Sequence, residues 1–168
     1  GEPVEKTIPI EARNGTDMIA GEKRSELLVV PPLTATVSPD ILVVPAGATS
    51  RREVRVTVRN NATTASAATV RLNVPAGWTV TPATTPVMLG RSDEESTMRF
   101  TVSSPAGVRP GSATVTAEIT SGESVSRTGY QVIEYPHIRR RLLFHPAEAT
   151  VRIMDVKVAR NLTVGYIM

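Results

Sequence analysis

A chain of 168 residues that is 40% hydrophobic, with a formal charge of only +3, has enough apolar material for one ordinary core and is no disordered polyelectrolyte. It holds no cysteine, which excludes a disulfide framework, a thiolate nucleophile and a Cys-ligated zinc. No apolar run approaches the roughly 20 residues of a membrane-spanning helix, and so small a positive charge demands no polyanion, so neither a membrane nor a nucleic acid is expected as a partner.

Thirteen prolines and eleven glycines punctuate a chain rich in Val and Thr, the composition of a protein of many short strands. Residues 1–30 read as a flanking segment, with one short apolar stretch, Lys6 to Ile10, and a turn signal at Asn14-Gly15. From Glu26 to Gly47 the apolar runs are interrupted by proline, which suits edge strands and a kinked first strand.

Four runs then alternate with a period of two. Their inward sets are Val54, Val56 and Val58; Val70, Leu72 and Val74; Met98, Phe100 and Val102; and Ala113, Val115, Ala117 and Ile119. Opposite the last set lie Thr114, Thr116 and Glu118. Alternation this clean buries one face and wets the other, as in two antiparallel sheets packed face to face. Residues 124–135 add a further strand in which Tyr130 is expected to cap the core. The fold class is therefore all-β: an immunoglobulin-like antiparallel β-sandwich of seven to eight strands over 31–135, with extra strands from the flanking segments. Pro-Ala-Gly occurs at Pro45, Pro75 and Pro105, and the differing neighbours make these three similar turns rather than a structural repeat.

Residues 136–168 open with a basic connector, Arg139-Arg140-Arg141, then offer a strand at Thr150 to Val158 and an apolar one from Leu162 to Met168. A Val- and Ile-rich strand at a chain end suggests the start of an α/β domain beyond this chain.

The segments Val56 to Asn60, Val74 to Trp78 and Phe100 to Val115 together resemble the NPCBM-associated domain, an immunoglobulin-like module found beside bacterial glycosidases and other secreted enzymes. The most specific elements are Pro75-Ala76-Gly77-Trp78 and the turn from Pro105 to Gly111. The flanks, Gly21 to Gly47 and Tyr135 to Met168, resemble the C-terminal half of large bacterial PIG-L (LmbE-like) deacetylases. That resemblance implies a zinc-dependent parent acting on N-acetylglucosaminyl substrates, with zinc in a catalytic domain outside this chain. The family's Pro-His-Pro-Asp-Asp-Glu type motif does not occur here.

Little in the chain carries chemistry of its own. Its two histidines, His137 and His145, flank the three arginines at a spacing that fits no compact ligand pair. Asp93, Glu94 and Glu95 are consecutive rather than spaced as calcium ligands. No G-x-S-x-G or other nucleophile motif occurs. The sequons at Asn14, Asn61 and Asn161 are those a Thr-rich chain contains by chance. The expectation is thus no enzyme and no cofactor in this chain, but a non-catalytic accessory or spacer module of an extracellular or periplasmic hydrolase, with that parent's other domains as partners. The alternative is a module that binds carbohydrate or cell-wall polysaccharide, for which Trp78 and Tyr135 are the candidate sugar contacts. Trp78, Pro75, Gly77, Phe100, Pro105 and Gly111 are the expected structural residues, with Trp78 closing an open end of the core.

Overall fold

The computed structural model describes residues 11–17, 21–26, 29–135 and 138–156. Strands β1 (Glu11–Asp17) and β2 (Gly21–Glu26) pair antiparallel with each other. The register slips between Asn14 and Thr16, so Asn14-Gly15 marks an irregularity inside β1 and not the expected turn. A glycine with no side chain to pack suits such a bulge.

The sandwich is built from two sheets. One has four strands in the order β3 (Leu33–Ser38), β5 (Ser50–Asn60), β9 (Glu95–Ser104), β7 (Thr79–Thr81). The other runs β4 (Ile41–Pro45), β14 (Glu148–Met154), β10 (Gly111–Ser121), β6 (Ser66–Asn73), β8 (Thr84–Leu89), and short β11 (Ser124–Ser126) also pairs with β10. The alternating runs dictate the core between them. Val54, Val56, Val58, Phe100 and Val102 from the first sheet meet Val70, Leu72, Val115, Ala117 and Ile119 from the second, all buried. The last member of one expected inward set, Val74, is half-buried against the rim of this core.

The sandwich does not end near residue 135. Strand β14 lies inside the second sheet, antiparallel to β10 and parallel to β4, with Ala149, Val151 and Ile153 in the core. The strand expected from Thr150 to Val158 thus belongs to the sandwich, as one of the extra strands that the flanking segments add. Residues 157–168, including the apolar run from Leu162, lie outside the described residues, as do Lys6 to Ile10.

Between β11 and β14 the chain leaves the sheet as a two-stranded ribbon, β12 (Thr128–Tyr135) and β13 (Ile138–Pro146). Its root is fixed where Ala147 N donates to the Arg127 carbonyl and Ala117 N donates to the Ala147 carbonyl. The ribbon then passes the free edge of β3. A side chain on Gly129 would strike the Ala35 carbonyl and the His145 ring, so only glycine permits this approach. Tyr130, expected to cap the core, instead reaches the outer face of the four-stranded sheet, where its ring stands 5.8 Å from the Arg59 guanidinium carbon.

Each sheet edge is thereby blunted against pairing with another chain. The ribbon flanks β3, and Arg52 Nε donates to the Val43 carbonyl of β4 at 2.9 Å. Strand β8 carries Pro86, and β7 is three residues long and followed by Pro82.

Candidate functional site

Three regions collect the polar and aromatic residues that the core does not use. The first is the end of the sandwich closed by the Pro-Ala-Gly turns. Gly47, Gly77 and Gly107 all have positive φ, between 76° and 82°, a conformation in which a Cβ is strained. Trp78 N donates to the Pro75 carbonyl at 3.1 Å, closing a four-residue turn of the type II kind. The three turns meet. Gly47 N donates to the Val108 carbonyl and Gly107 N to the Gly47 carbonyl, each at 3.2 Å, and Gly77 lies against Pro105. Trp78, Val74, Val80, Ala46 and Val108 pack there, half-buried, against the core. Phe100 is buried just inside, and Gly111 opens β10.

The second region, at the opposite end, centres on Asn60 and Asn61. Fully buried Asn60 satisfies its whole amide. Nδ2 donates to the Thr64 and Arg91 carbonyls at 2.8 and 3.0 Å, and Oδ1 accepts from Ala62 N and Ser66 Oγ. Asn61 Nδ2 donates to the Pro31 carbonyl and Thr34 Oγ1, while its Oδ1 accepts from the Tyr130 hydroxyl at 2.8 Å. That bond ties the ribbon to the loop after β5.

The third region is the outer surface of the two sheets. On the second sheet, Glu118 occupies an outward position of β10 yet is only 3% exposed. Arg127 donates to it from Nε at 2.7 Å and Nη2 at 2.6 Å, Asn73 from Nδ2 at 3.2 Å, and Arg71 pairs with it at 2.5 Å. The carboxylate is covered by these side chains rather than sunk in the core. Burial pushes its pKa up, but the bonds from Arg127 and Asn73 and the charges of Arg127 and Arg71 prevail and hold it below the usual carboxylate range. Because Arg127 stands at the root of the ribbon, this cluster is structural.

On the first sheet, Arg59 Nη2 binds Asp93 at 2.7 Å and Nη1 reaches Glu95 at 3.5 Å. Its pKa is raised chiefly by the hydrogen bond to Asp93, against the opposing effect of burial. Asp93, which has φ 61°, and Glu95 thus serve an ion cluster on an exposed turn. Beside them, Thr34, Thr36, Thr57, Arg59 and Glu95 form the floor, and Tyr130, Gln131 and Val132 the wall, of a groove of about 250 Å³. Tyr130 also meets Phe144 at 6.1 Å between centroids, with the rings inclined at 54°.

Among the residues named from the sequence, Trp78 lies at the Pro-Ala-Gly end and Tyr135 at the far tip of β12, where it is exposed. Trp78 lies in the turn before β7 and Tyr135 on β12. His145, half-buried, has Nδ1 3.0 Å from the Pro146 carbonyl; His137 lies outside the described residues. The described residues contain no group of three or more His, Asp or Glu placed to hold a metal ion, and no helix long and apolar enough to cross a membrane.

The fold is that of an immunoglobulin-like β-sandwich. Residues 44–122 match the family of NPCBM-associated, NEW3 domains of alpha-galactosidase, an accessory domain type associated with glycoside hydrolases. No curated protein matches the chain. Among solved structures, E. coli alpha-2-macroglobulin is similar at 17% identity and a TM-score of 0.43, covering 79% of this chain. This chain spans only 7% of that one. WR4, a C. elegans MSP family member, is similar at 9% identity and a TM-score of 0.43, covering 72% of this chain and 98% of its own. A PapD-like domain of human CEP192 is similar at 12% identity and a TM-score of 0.41, covering 77% and 92%.

Proposed function

We propose that the sandwich is a non-catalytic spacer of a secreted bacterial hydrolase, one that keeps the domains on either side of it at a fixed separation. The observation that carries this reading is where the chain enters and leaves. Pro31 and Pro32 lie beside Asn61 at one end, where their carbonyls accept from its side chain and backbone nitrogen. Met154 lies at the other, its carbonyl accepting from Ala46 N. Strand β5, of 11 residues, joins the two ends, and at 3.3–3.4 Å per residue the separation is about 33 Å. Interlocked turns at one end and a satisfied amide network at the other make this a stiff strut. The NEW3 match supports an accessory role. The sequence of the flanks supports a parent of the PIG-L (LmbE-like) class, a zinc deacetylase of N-acetylglucosaminyl substrates outside the cytosol.

The test replaces residues 32–154 in the parent protein by a Gly/Ser linker of equal residue number. The expected result is a broadened interdomain distance distribution in small-angle scattering, with activity lost on polymeric substrate and kept on a small soluble one. An unchanged distribution and unchanged polymer activity would overturn the spacer. A parent that binds no zinc would overturn the deacetylase assignment alone.

A further inference from the structure

The outer face of the four-stranded sheet carries a feature that packing does not explain. Arg55 of β5 and Arg99 of β9 stand directly opposite each other, both exposed. Like charges at that spacing repel. Glu53 binds Arg55 at 2.8 Å and its charge also reaches Arg99, so one carboxylate serves two guanidinium groups; among the described residues no carboxylate makes a direct ion pair with Arg99. The next outward row, about 7 Å along the strands, is Thr36, Thr57 and Thr97 in cross-strand register, with the Thr57 and Thr97 hydroxyls 2.8 Å apart. The row after that, Thr34, Arg59 and Glu95, completes with Thr36 and Thr57 the floor of the groove walled by Tyr130 and Gln131.

We propose that this face binds an acidic oligosaccharide, a chain of pyranose rings bearing carboxylates. One carboxylate sits between the Arg55 and Arg99 guanidinium groups, whose planar donor forks match it. A neighbouring ring enters the groove. Sugar hydroxyls both donate and accept, and the groove offers donors from Arg59, an acceptor in Glu95, and groups that do both in Thr36, Thr57 and Gln131. Tyr130 supplies an apolar wall for the ring's C–H face. A volume of about 250 Å³ lies just under the roughly 300 Å³ at which ligand clefts begin, which suits one saccharide unit lodged in an otherwise open face. The choice of a saccharide rests on the reading of this chain as a module of a carbohydrate-active enzyme. Binding is measured on this chain alone, so a failure here leaves the spacer untouched.

The experiment is calorimetric titration of the folded chain with tetragalacturonate, with neutral chitotetraose and a short single-stranded oligonucleotide as comparators. Saturable binding of tetragalacturonate is expected. It should be weakened about tenfold or more in Arg99→Gln, the loss of one charge-assisted contact, while the melting temperature stays level or rises because the Arg55–Arg99 repulsion is gone. Gln131→Ala should weaken binding with the fold intact. Absence of saturable binding, or equal affinity in Arg99→Gln, would overturn the site. Equal affinity for chitotetraose would remove the carboxylate from it, and equal affinity for the oligonucleotide would reduce it to charge attraction.

Discussion

Asn60→Ala removes one side chain and orphans four partners. The Thr64 and Arg91 carbonyls lose their donor, and Ala62 N and Ser66 Oγ lose their acceptor. A buried group left unpaired costs about 1–3 kcal/mol. Thr64 and Arg91 are exposed residues, so water reaches part of the gap, and the Ser66 hydroxyl rotates to another partner. Those two effects hold the cost near the lower bound for each of the three backbone groups, giving about 3–4 kcal/mol. For a sandwich of this size that lowers Tm by about 10–15 °C. Thermal unfolding followed by far-ultraviolet circular dichroism measures the loss, and Trp78 emission tells where it acts. The only tryptophan sits at the opposite end, so a cooperative sandwich shifts both signals together. Asn60→Asp keeps an acceptor at the same place but turns a carboxylate toward two carbonyls, and is expected to be at least as damaging at pH 7. A loss under about 0.5 kcal/mol for Asn60→Ala, the range of an indifferent surface change, would refute the account of Asn60 as the brace of this end.

Glu118→Gln should destabilise by about 1–2 kcal/mol, the low end for a charge-assisted bond, because Arg71 and Arg127 are half exposed and regain water. The carboxyl is held below its unfolded value of about 4.3, so its contribution is complete above that pH and is lost as pH falls through the lower folded value. Acid titration of stability should therefore be shallower in the Gln variant, and an identical profile would remove Glu118 from the acid response. Gly129→Ala should cost about 1–3 kcal/mol as overpacking and speed hydrogen exchange of β12 and β3 amides; unchanged exchange would mean the ribbon does not rest on β3. Trp78→Ala should cost about 2 kcal/mol, roughly half the value for a fully buried ring, since Trp78 is only half-buried at the core's rim. A thermal melt that does not move would show that the ring closes nothing.

Period-two alternation is enough to identify the core residues of β5, β6, β9 and β10, because their inward positions face a second sheet and outward positions ordinarily face water. It misread Glu118 for the same reason. An outward position reads as wet, and nothing near it in sequence shows that Arg71, forty-seven residues earlier, and Arg127, nine later, close over it. The three Pro-Ala-Gly turns were visible as turns, but their hydrogen bonds to one another join residues 47 and 107, a link only the fold supplies. Strand β14 was expected as a strand and not as part of the sandwich, since the ribbon separates it from β10 in the chain while the sheet places the two side by side. Tyr130 looked like a core residue because it is aromatic and lies in a strand. The glycine before it lets the ribbon pass β3, which carries the ring to the outer face.

The distribution of satisfied and unsatisfied groups divides the molecule by role. Both ends are closed, one by interlocked turns and one by amide hydrogen bonds, and the chain passes through each of them. All four sheet edges are blunted. On the second sheet the covered acid Glu118 is neutralised by two arginines. The outer face of the first sheet differs: Arg55 and Arg99 share the one carboxylate of Glu53, and a row of hydroxyls leads into the groove beneath Tyr130. On the proposed spacer role, position is transmitted through the ends, so that face is not needed, and a ligand bound there would block neither end. Holding two domains apart and anchoring them to an acidic glycan are therefore separable in one sandwich. Arg99→Gln should weaken glycan retention of the parent about tenfold or more while preserving its interdomain distance, and the Gly/Ser linker should remove both.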